Sequence, residues 1–254
     1  MNVLVVDVGG SHIKFLVTGQ TKPRKFPSGS DMTAAQMVAG VRKRMGDWTC
    51  DVVAIGYPGP VSHGAPTADP PNLAPGWVGF DFESAFQRPV RLINDAAMQA
   101  LGSYEGGIML FLGLGTGLGS AMVVDGTIVP MELAHLPYRK STYEDYVGDA
   151  SLESRGKGKW RRHVADVVAL LSAAMQPDEV VLGGGNVKKL KPLPPGCRAG
   201  DNANAFLGGF RLWETSPHAG GHGDTQIRAT GRRQSSSTTP VNQRSSRRQA
   251  CKSE

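Results

Sequence analysis

Two glycine-rich stretches, each set between two apolar runs, constrain the fold of this chain more than any other feature. The first is DVGGS at 7–11 and the second is GLGTGLG at 113–119. The runs that flank them are VLVVD, IKFLV, IMLFLG and SAMVV, at 3–7, 13–17, 108–113 and 120–124. In both places a strand follows the glycines, whereas the glycine loop of a dinucleotide-binding fold opens a helix. Each stretch therefore predicts a tight turn between two strands.

The remaining apolar runs extend each hairpin into an α/β unit. Strands are predicted at VVAIGY, VRLI and VVL (52–57, 90–93 and 180–182), and helices in DAAMQALGSYE, RHVADVVALLSAAM and NANAFLGGFRLW. A hairpin followed by α/β elements thus occurs twice, from Met1 and again near Gly107. This repetition predicts an α/β fold with two similar lobes, 1–106 and 107–214, separated by a cleft, with a last helix able to pack back on the first lobe.

Residues 215–254 differ in composition from the rest of the chain. They are rich in Ser, Gly, Arg and Thr, and they carry +5 of the formal net charge of +6. A segment with so few large apolar side chains cannot offset the entropy lost on ordering, which predicts a disordered basic tail. A solvated extension and an arm for an anionic partner remain alternatives, and nucleic-acid binding is not expected.

Other features of the sequence bear on where the protein works. No run approaches the roughly 20 apolar residues that a membrane span needs. The N-terminus shows neither the basic region nor the cleavage site of a signal peptide. The three cysteines, Cys50, Cys197 and Cys251, are scattered and show no spacing typical of a metal site or disulfide framework. These features predict a cytoplasmic protein without a membrane partner.

The two glycine turns have the chemistry of phosphate-binding loops. Backbone N–H groups of Gly9, Gly10 and Ser11 could form a nest for phosphate oxygens, because glycine allows close approach of the backbone. Asp7 could hold a hydrated Mg²⁺ beside them, and Lys14 could supply a positive charge. The second turn offers alternating glycines and the hydroxyl of Thr116. An ordinary hairpin turn is the alternative for either one alone, but the pair predicts a clamp on a phosphate chain.

Asp95 lies between the two turns, in RLINDAAM, where a buried strand ends and a helix begins. A carboxylate there could accept the proton of an attacking hydroxyl, as the base does in phosphoryl transfer. The alternative is an N-cap, in which Asp95 would accept hydrogen bonds from amides of its own helix. Both roles are compatible, because an N-cap position is a rigid mount.

The motifs DVGGSHIKF, NDAAM, GLGTGLGSA, ELAHL and VVLGGGN occur in an order that resembles the ROK sugar kinases of the actin/hexokinase superfamily. PPNLAPGWVGFDF, YEDYVGDASLESRGKGKWRRHV and GDNANAFLGGFRLW extend the resemblance to the bacterial polyphosphate glucokinase branch of that family. The resemblance spans roughly residues 2–214. It implies the two-lobed actin-like fold, a homodimer, and phosphorylation of the 6-hydroxyl of glucose or a similar hexose. It also implies Mg²⁺ as cofactor and polyphosphate or ATP as donor.

The same resemblance implies a role for individual residues. Asp95 matches the catalytic base. The residues that match sugar ligands are Gly59, Asn72, Asn94, Asp95, Glu132, His135 and Glu144. The residues that match the donor site are Asp7, Gly9, Gly10, Ser11, Lys14, Gly115, Thr116, Gly117, Gly183, Gly184 and Gly185, the last three in the loop that holds adenosine in nucleotide-using relatives. Asp7 matches the Mg²⁺ ligand, through water.

The chain departs from the family pattern in two places. Ala134 replaces a glycine between Glu132 and His135, which would cost about 1 kcal/mol if that position needed a positive φ. The cysteine-rich zinc loop that follows the histidine in many members is replaced by LPYRKSTYED, so no zinc is expected.

The basic run RGKGKWRRH at 155–163 bears on the choice of donor. It predicts either a helix start with a solvated face or a track for a long polyanion. An ATP-dependent hexokinase acting on glucose, mannose, fructose or an N-acetylhexosamine is an alternative function. A non-catalytic sugar-sensing protein is another, although the repressors of the family carry a helix-turn-helix ahead of the first strand, which here begins at residue 3.

Overall fold

The structure is a computed structural model, and residues 1–214 are described. These residues belong to one compact unit. The tail predicted to be disordered, at 215–254, lies outside the described residues.

The first part of the chain forms a five-stranded mixed sheet. Its elements, in chain order, are β1 Val3–Val8, β2 His12–Val17, β3 Arg24–Pro27, α1 Ala34–Met45, β4 Val52–Tyr57, β5 Val61–Ser62, β6 Ala65–Pro66, α2 Phe82–Phe86, β7 Val90–Asn94 and α3 Asp95–Ser103. The strand order is β3-β2-β1-β4-β7. β1, β2 and β3 pair antiparallel, whereas β4 is parallel to β1 and β7 is parallel to β4.

The second part repeats that topology. Its elements are β8 Ile108–Leu114, β9 Leu118–Val124, β10 Thr127–Met131, a 3₁₀ turn Leu133–His135, β11 Pro137–Tyr138, β12 Ser141–Thr142, α4 Tyr143–Val147, α5 Asp149–Arg155, α6 Lys157–Met175, β13 Glu179–Gly183, a 3₁₀ turn Val187–Lys189, β14 Cys197–Ala199 and α7 Asn204–Glu214. The strand order is β10-β9-β8-β13-β14, again with a three-stranded antiparallel meander followed by two parallel strands. The predicted repetition of a hairpin and an α/β unit is therefore visible in the pairing of the strands.

Burial explains why these strands form where they do. Every residue of β4 is buried, as expected for a parallel strand covered on both faces.

Two helices begin where the sequence analysis did not place a helix start. The start of α1 carries a capping box between Thr33 and Gln36, a short-range signal that was not used in predicting the elements. α6 begins at Lys157, earlier than the predicted helix, and packs its buried residues against the second sheet.

The last helix of each part packs against the sheet of the other part. α3 follows the first sheet but contacts β8, β9 and β10, while α7 follows the second sheet and contacts β1 and β4. The two helices cross with their backbones in contact at Gly102 and Gly208. A methyl group on Gly102 would overlap the Asn204 carbonyl, and one on Gly208 would overlap the Met98 carbonyl. The crossing therefore requires glycine on both helices.

Among the described residues, no helix is both long and apolar enough to span a bilayer.

Candidate active site

The first turn, at 9–11, presents unused N–H groups. The Gly9 N–H donates to the His12 carbonyl at 3.1 Å, which closes the turn. Ser28, just after β3, bonds it twice: its Oγ donates to the Gly9 carbonyl at 2.7 Å and its N–H to the Ser11 carbonyl at 3.1 Å. Within the described residues, the N–H groups of Gly10 and Ser11 have no hydrogen-bond acceptor. They are available to an anion.

The second turn, at 115–117, has the same property. The Gly115 N–H donates to the Gly117 carbonyl at 3.2 Å. The Gly115 carbonyl accepts from the Asp149 N–H at 3.0 Å and from Asn186 Nδ2 at 3.3 Å. The N–H groups of Thr116 and Gly117 have no acceptor in the part of the chain that the structure describes. Each five-stranded sheet thus carries one turn with two free donors.

Asp7 and Lys14 are cross-strand neighbours beside the first turn. They face each other in the β1–β2 ladder, and Lys14 Nζ lies 3.2 Å from Asp7 Oδ2. The side chain of Asp7 is 13% exposed, while that of Lys14 is 43% exposed. Asp7 therefore offers a largely buried carboxylate oxygen beside the first turn. Such an oxygen is a suitable ligand for a hydrated Mg²⁺.

Asp95 is the first residue of α3, and the residue that caps the helix is Asn94. Asn94 Oδ1 accepts the N–H groups of Ala96 at 2.9 Å and Ala97 at 3.2 Å, and Asn94 Nδ2 donates to the Gly59 carbonyl at 3.0 Å. The N-cap role predicted for Asp95 is therefore wrong by one residue. Asp95 Oδ1 still accepts the Ala96 N–H at 2.8 Å, so the helix N-terminus fixes the carboxyl group.

The environment of Asp95 makes its carboxyl group unusually basic. Burial of the carboxyl is the largest cause, and the charge of Asp7 adds to it, so that the pKa rises to about 7. The Ala96 N–H lowers the pKa, and the charge of Glu132 raises it slightly, but neither cancels the effect of burial. A carboxyl group with this pKa can take up and release a proton near neutral pH.

The residues around Asp95 come from both sheets. Gly56 of β4 lies against the Asp95 backbone, because a Cβ on Gly56 would lie 3.6 Å from Asp95 Cα. On the other side, Gly119 of β9 lies against Ala96, because a Cβ on Gly119 would lie only 2.7 Å from the Ala96 Cβ. Asp95 is consequently mounted where the helix N-terminus meets the first and second sheets.

Among the residues predicted as sugar ligands, Asn72 packs against the first turn. A Cβ on Gly10 would lie 3.4 Å from the Asn72 Cβ. Glu132 and His135 are exposed and lie at the two ends of one turn. Ser120 of β9 anchors this segment, because its Oγ donates to the Met131 carbonyl at 2.9 Å and accepts the Leu133 N–H at 3.1 Å. No hydrogen bond or ion pair within residues 1–214 joins His135 to another predicted ligand.

Ala134 causes no backbone strain. It is buried in the 3₁₀ turn Leu133–His135, and it is absent from the non-glycine residues of positive φ. The replacement of a glycine at this position therefore costs none of the energy that a left-handed conformation would require.

Glu144 contacts the second turn directly. Its Oε2 accepts the Leu118 N–H at 3.3 Å, and a methyl on Gly117 would overlap the same oxygen. The side chain of Glu144, which was predicted to bind sugar, is thus in contact with the turn that was predicted to bind phosphate.

Comparison with known proteins identifies the family. The model of the ROK family matches residues 3–130, which include the first turn, Asp95 and the second turn. This chain belongs to the ROK family. A polyphosphate glucokinase from Mycobacterium tuberculosis is 28% identical over 218 aligned residues, which cover 75% of this chain and 80% of that protein.

Solved structures show that the α/β fold of this ROK protein is that of ROK kinases. An inorganic polyphosphate/ATP-glucomannokinase from Arthrobacter sp. strain KM superposes with a TM-score of 0.70 and 22% identity, covering 84% of this chain and 99% of that chain. A ROK family glucokinase from Streptomyces griseus, solved with glucose and AMPPNP, superposes with a TM-score of 0.69 and 17% identity, covering 84% and 99%. The predicted actin-like fold class is confirmed.

The GGG run of the ROK protein begins at the last residue of β13, and Gly184 lies against Leu114, the residue just before the second turn. Gly184 has φ +84° and leaves no room for a side chain beside the Leu114 backbone. Gly183 lies against Phe111, whereas Gly185 faces open space. The loop thus borders the second turn, while its predicted contact with adenosine remains a prediction.

The basic run at 155–163 forms the junction of α5 and α6. Arg155, Lys157, Lys159 and Arg162 are exposed, whereas Arg161 is half-buried and donates to the Lys189 carbonyl at 2.7 Å. Trp160 is fully buried, with its Nε1 donating to the Val147 carbonyl at 2.7 Å. The run therefore begins a helix with an exposed basic face, and Arg161 is not part of that face.

Sequence reasoning missed three residues that hold the turns: Ser28, Asp149 and Asn186. Ser28 lies 17 residues beyond Ser11 with no motif to mark it, so nothing local could have found it. Asn186 directly follows the GGG run, and that position was the available signal. Within residues 1–214 no three His, Cys, Asp or Glu side chains are grouped so as to hold a metal ion.

Proposed function

We propose that this ROK protein transfers a phosphoryl group from polyphosphate or ATP to the 6-hydroxyl of glucose. The observation that carries the proposal is Asp95, a carboxyl group with a pKa of about 7 that lies near Asp7 of β1. Its neighbour Ala96 packs against Gly119 of the strand after the second turn. The similarity to the M. tuberculosis polyphosphate glucokinase and to the two solved kinases supports the same activity.

In the proposed reaction, Asp95 accepts the proton of the sugar hydroxyl as its oxygen attacks the terminal phosphorus of the donor. The bond between that phosphorus and the bridging oxygen breaks, and the shortened donor leaves with the bonding electrons. The free N–H groups of Gly10, Ser11, Thr116 and Gly117 would stabilise the charge on the phosphate oxygens. Asn72, Glu132, His135 and Glu144 are the proposed sugar ligands.

Mg²⁺ fits the residues present beside the first turn. Asp7 provides a carboxylate oxygen of the kind that Mg²⁺ prefers, and a divalent cation there would offset the repulsion between Asp7 and Asp95. When bound, it would neutralise charge on the donor phosphates. Lys14, which is paired with Asp7, could transfer its contact to a phosphate oxygen.

Polyphosphate is proposed as the better donor because of the distance between the second turn and the basic face. The first residue of α5, Asp149, is bonded to the second turn, and its last residue is Arg155. At a rise of about 1.5 Å per residue, α5 carries the chain roughly 9 Å from the turn to the start of the basic face. A long polyanion bound at the turn could reach those cations, whereas ATP would reach fewer of them.

We also infer a cytoplasmic location, for which the free thiols of Cys50 and Cys197 are suited.

The experiment is to supply the purified protein with glucose and Mg²⁺, then ATP or polyphosphate separately, and to measure sugar phosphate. Asp95→Asn should lower kcat by about 10²–10⁴ with either donor, the usual contribution of a positioned base, and leave sugar affinity within several-fold. Asp125→Asn, the same change at an exposed turn, is the control. Near-normal turnover of Asp95→Asn would remove Asp95 from the role of base.

A further inference from the structure

Each glycine turn is held by a side chain from a different segment of its own sheet. Ser28 follows β3 and bonds the Gly9 carbonyl, while Asn186 follows β13 and bonds the Gly115 carbonyl. Ser28 belongs to no motif, and Asn186 ends the VVLGGGN motif without having been assigned a role of its own. The two contacts lie at the same point of the two turns, since each carbonyl shares its peptide with the first free N–H group.

Peptide geometry gives these contacts a consequence for the cleft. The carbonyl of one residue and the N–H of the next share a planar trans peptide, and they point in opposite directions. Ser28 Oγ, at 2.7 Å from the Gly9 carbonyl, therefore fixes the direction of the Gly10 N–H. Asn186 Nδ2, at 3.3 Å from the Gly115 carbonyl, fixes the Thr116 N–H in the same way.

Asn186 is itself held rigidly. It is 4% exposed, its own N–H donates to the Leu114 carbonyl at 3.0 Å, and its Nδ2 also donates to Asp149 Oδ1 at 2.6 Å. The Asp149 N–H in turn donates to the carbonyls of Gly115 at 3.0 Å and Thr116 at 3.3 Å. The Thr116 carbonyl shares its peptide with the Gly117 N–H, so both free donors of the second turn are directed by this pair.

We propose that Ser28 and Asn186 are positioning residues that aim the free N–H groups of the two turns at the phosphates of the donor. Asp149 supports Asn186 in this role. The inference rests on the proposed phosphoryl transfer, and it assigns the donor affinity of that reaction to residues that need not touch the donor. If the N–H groups were misdirected, the phosphates of the phosphoryl donor would lose part of a charge-assisted hydrogen bond. The sugar site would be unchanged.

The test compares Asn186→Asp, Asn186→Ala and Ser28→Ala with the wild type. Asn186→Asp removes the two donors and places a second carboxylate against Asp149 without changing the shape of the side chain. Asn204→Asp, at the start of α7, and Ser30→Ala, in an exposed loop, are the matched controls. Kinetics give the KM for the donor and for glucose, and calorimetry gives the affinity for tripolyphosphate with Mg²⁺ in the absence of sugar.

Each test variant should raise the donor KM and weaken tripolyphosphate binding by about tenfold, the loss expected for one such hydrogen bond. The KM for glucose should stay within about twofold, and the controls should match the wild type. A merely structural role would instead shift both KM values together or lower only the stability.

The outcomes separate this inference from the proposed function. If the wild type forms no sugar phosphate, the proposed function fails, and tripolyphosphate binding alone decides the role of the two residues. If the wild type is active and the variants keep its donor KM, the positioning role is excluded. Failure of the wild type to bind tripolyphosphate also overturns it. Should Asn186→Asp not fold, Asn186→Ala and Ser28→Ala decide the second and the first turn separately.

Discussion

The carboxylate of Asp7 lies close enough to Asp95 for its charge to add to the burial that raises the pKa of Asp95 to about 7. Asp7 comes from β1 and Asp95 from the start of α3, so the end of the first sheet and the first residue of the helix share one patch of negative charge. Lys14 partly offsets that charge on the side of Asp7. The pairing has consequences for both activity and stability.

The activity should rise with pH through about 7. A base works in its ionised form, and a group with a pKa of about 7 is roughly one-tenth ionised at pH 6 and nine-tenths ionised at pH 8. We expect kcat/KM to increase with pH and to level off, with a midpoint at or below 7, because Mg²⁺ beside Asp7 would offset part of the repulsion that raises the pKa of Asp95. Asp7→Asn should move the rising limb to lower pH, because it removes the second cause of the raised pKa, even though it also lowers the rate. A profile that is flat between pH 5 and 8 would contradict the assignment.

Asp95 should lower the stability of the folded protein as pH rises. In the unfolded chain its pKa returns to the ordinary value of 3.8, so between there and about 7 the unfolded chain releases a proton that the folded protein keeps. The stability therefore declines across that window and stays reduced above it. Asp95→Asn should raise the free energy of unfolding at pH 8 by an amount on the order of a few kcal/mol, and much less at pH 4.5, and the thermal midpoint should rise accordingly. Scanning calorimetry of both proteins at the two pH values measures this, and a difference independent of pH would argue against a buried carboxylate.

Local patterns predicted the strands well but not the contacts between distant segments. VVAIGY was predicted at 52–57 and is the strand β4 at those residues. The shift of the helix cap from Asp95 to Asn94 depends on how β7 ends, which the sequence of the helix alone does not determine. The contact of Glu144 with Leu118 joins residues 26 positions apart, and no periodicity marks such a pair.

Lys157 and Lys159 should affect polyphosphate more than ATP. Both are exposed at the start of α6, whereas Arg161 is engaged with the Lys189 carbonyl and is left unchanged in this test. We expect the double change to Gln to raise the KM for long-chain polyphosphate several-fold and that for ATP little. The polyphosphate reaction should also weaken with added salt, because exposed charges are screened over about 8 Å at physiological ionic strength.

The control for this prediction is the double change of Lys22 and Lys43 to Gln, which removes the same charge from exposed positions in the first part of the chain. If both double variants raised the KM for polyphosphate equally, the effect would come from the net charge of the protein and not from the lysines of α6. Equal effects on the two donors would exclude a polyanion track on this face.

The crossing of α3 and α7 should be the position least tolerant of an added methyl group. Gly208→Ala would place its Cβ on the Met98 carbonyl of α3, which is backbone and cannot rotate away. Overpacking of this kind costs about 1–3 kcal/mol or more, so we expect a clear drop in the midpoint of urea unfolding. Gly158→Ala in α6 makes the same change inside a helix where nothing lies within 4 Å, and should be neutral or stabilising by up to about 1 kcal/mol. Because α3 begins with Asp95 and α7 packs on the sheet that carries Asp7, Gly208→Ala should also lower kcat at temperatures where it remains folded. A Gly208→Ala protein as stable as Gly158→Ala would show that the two helices can separate without cost.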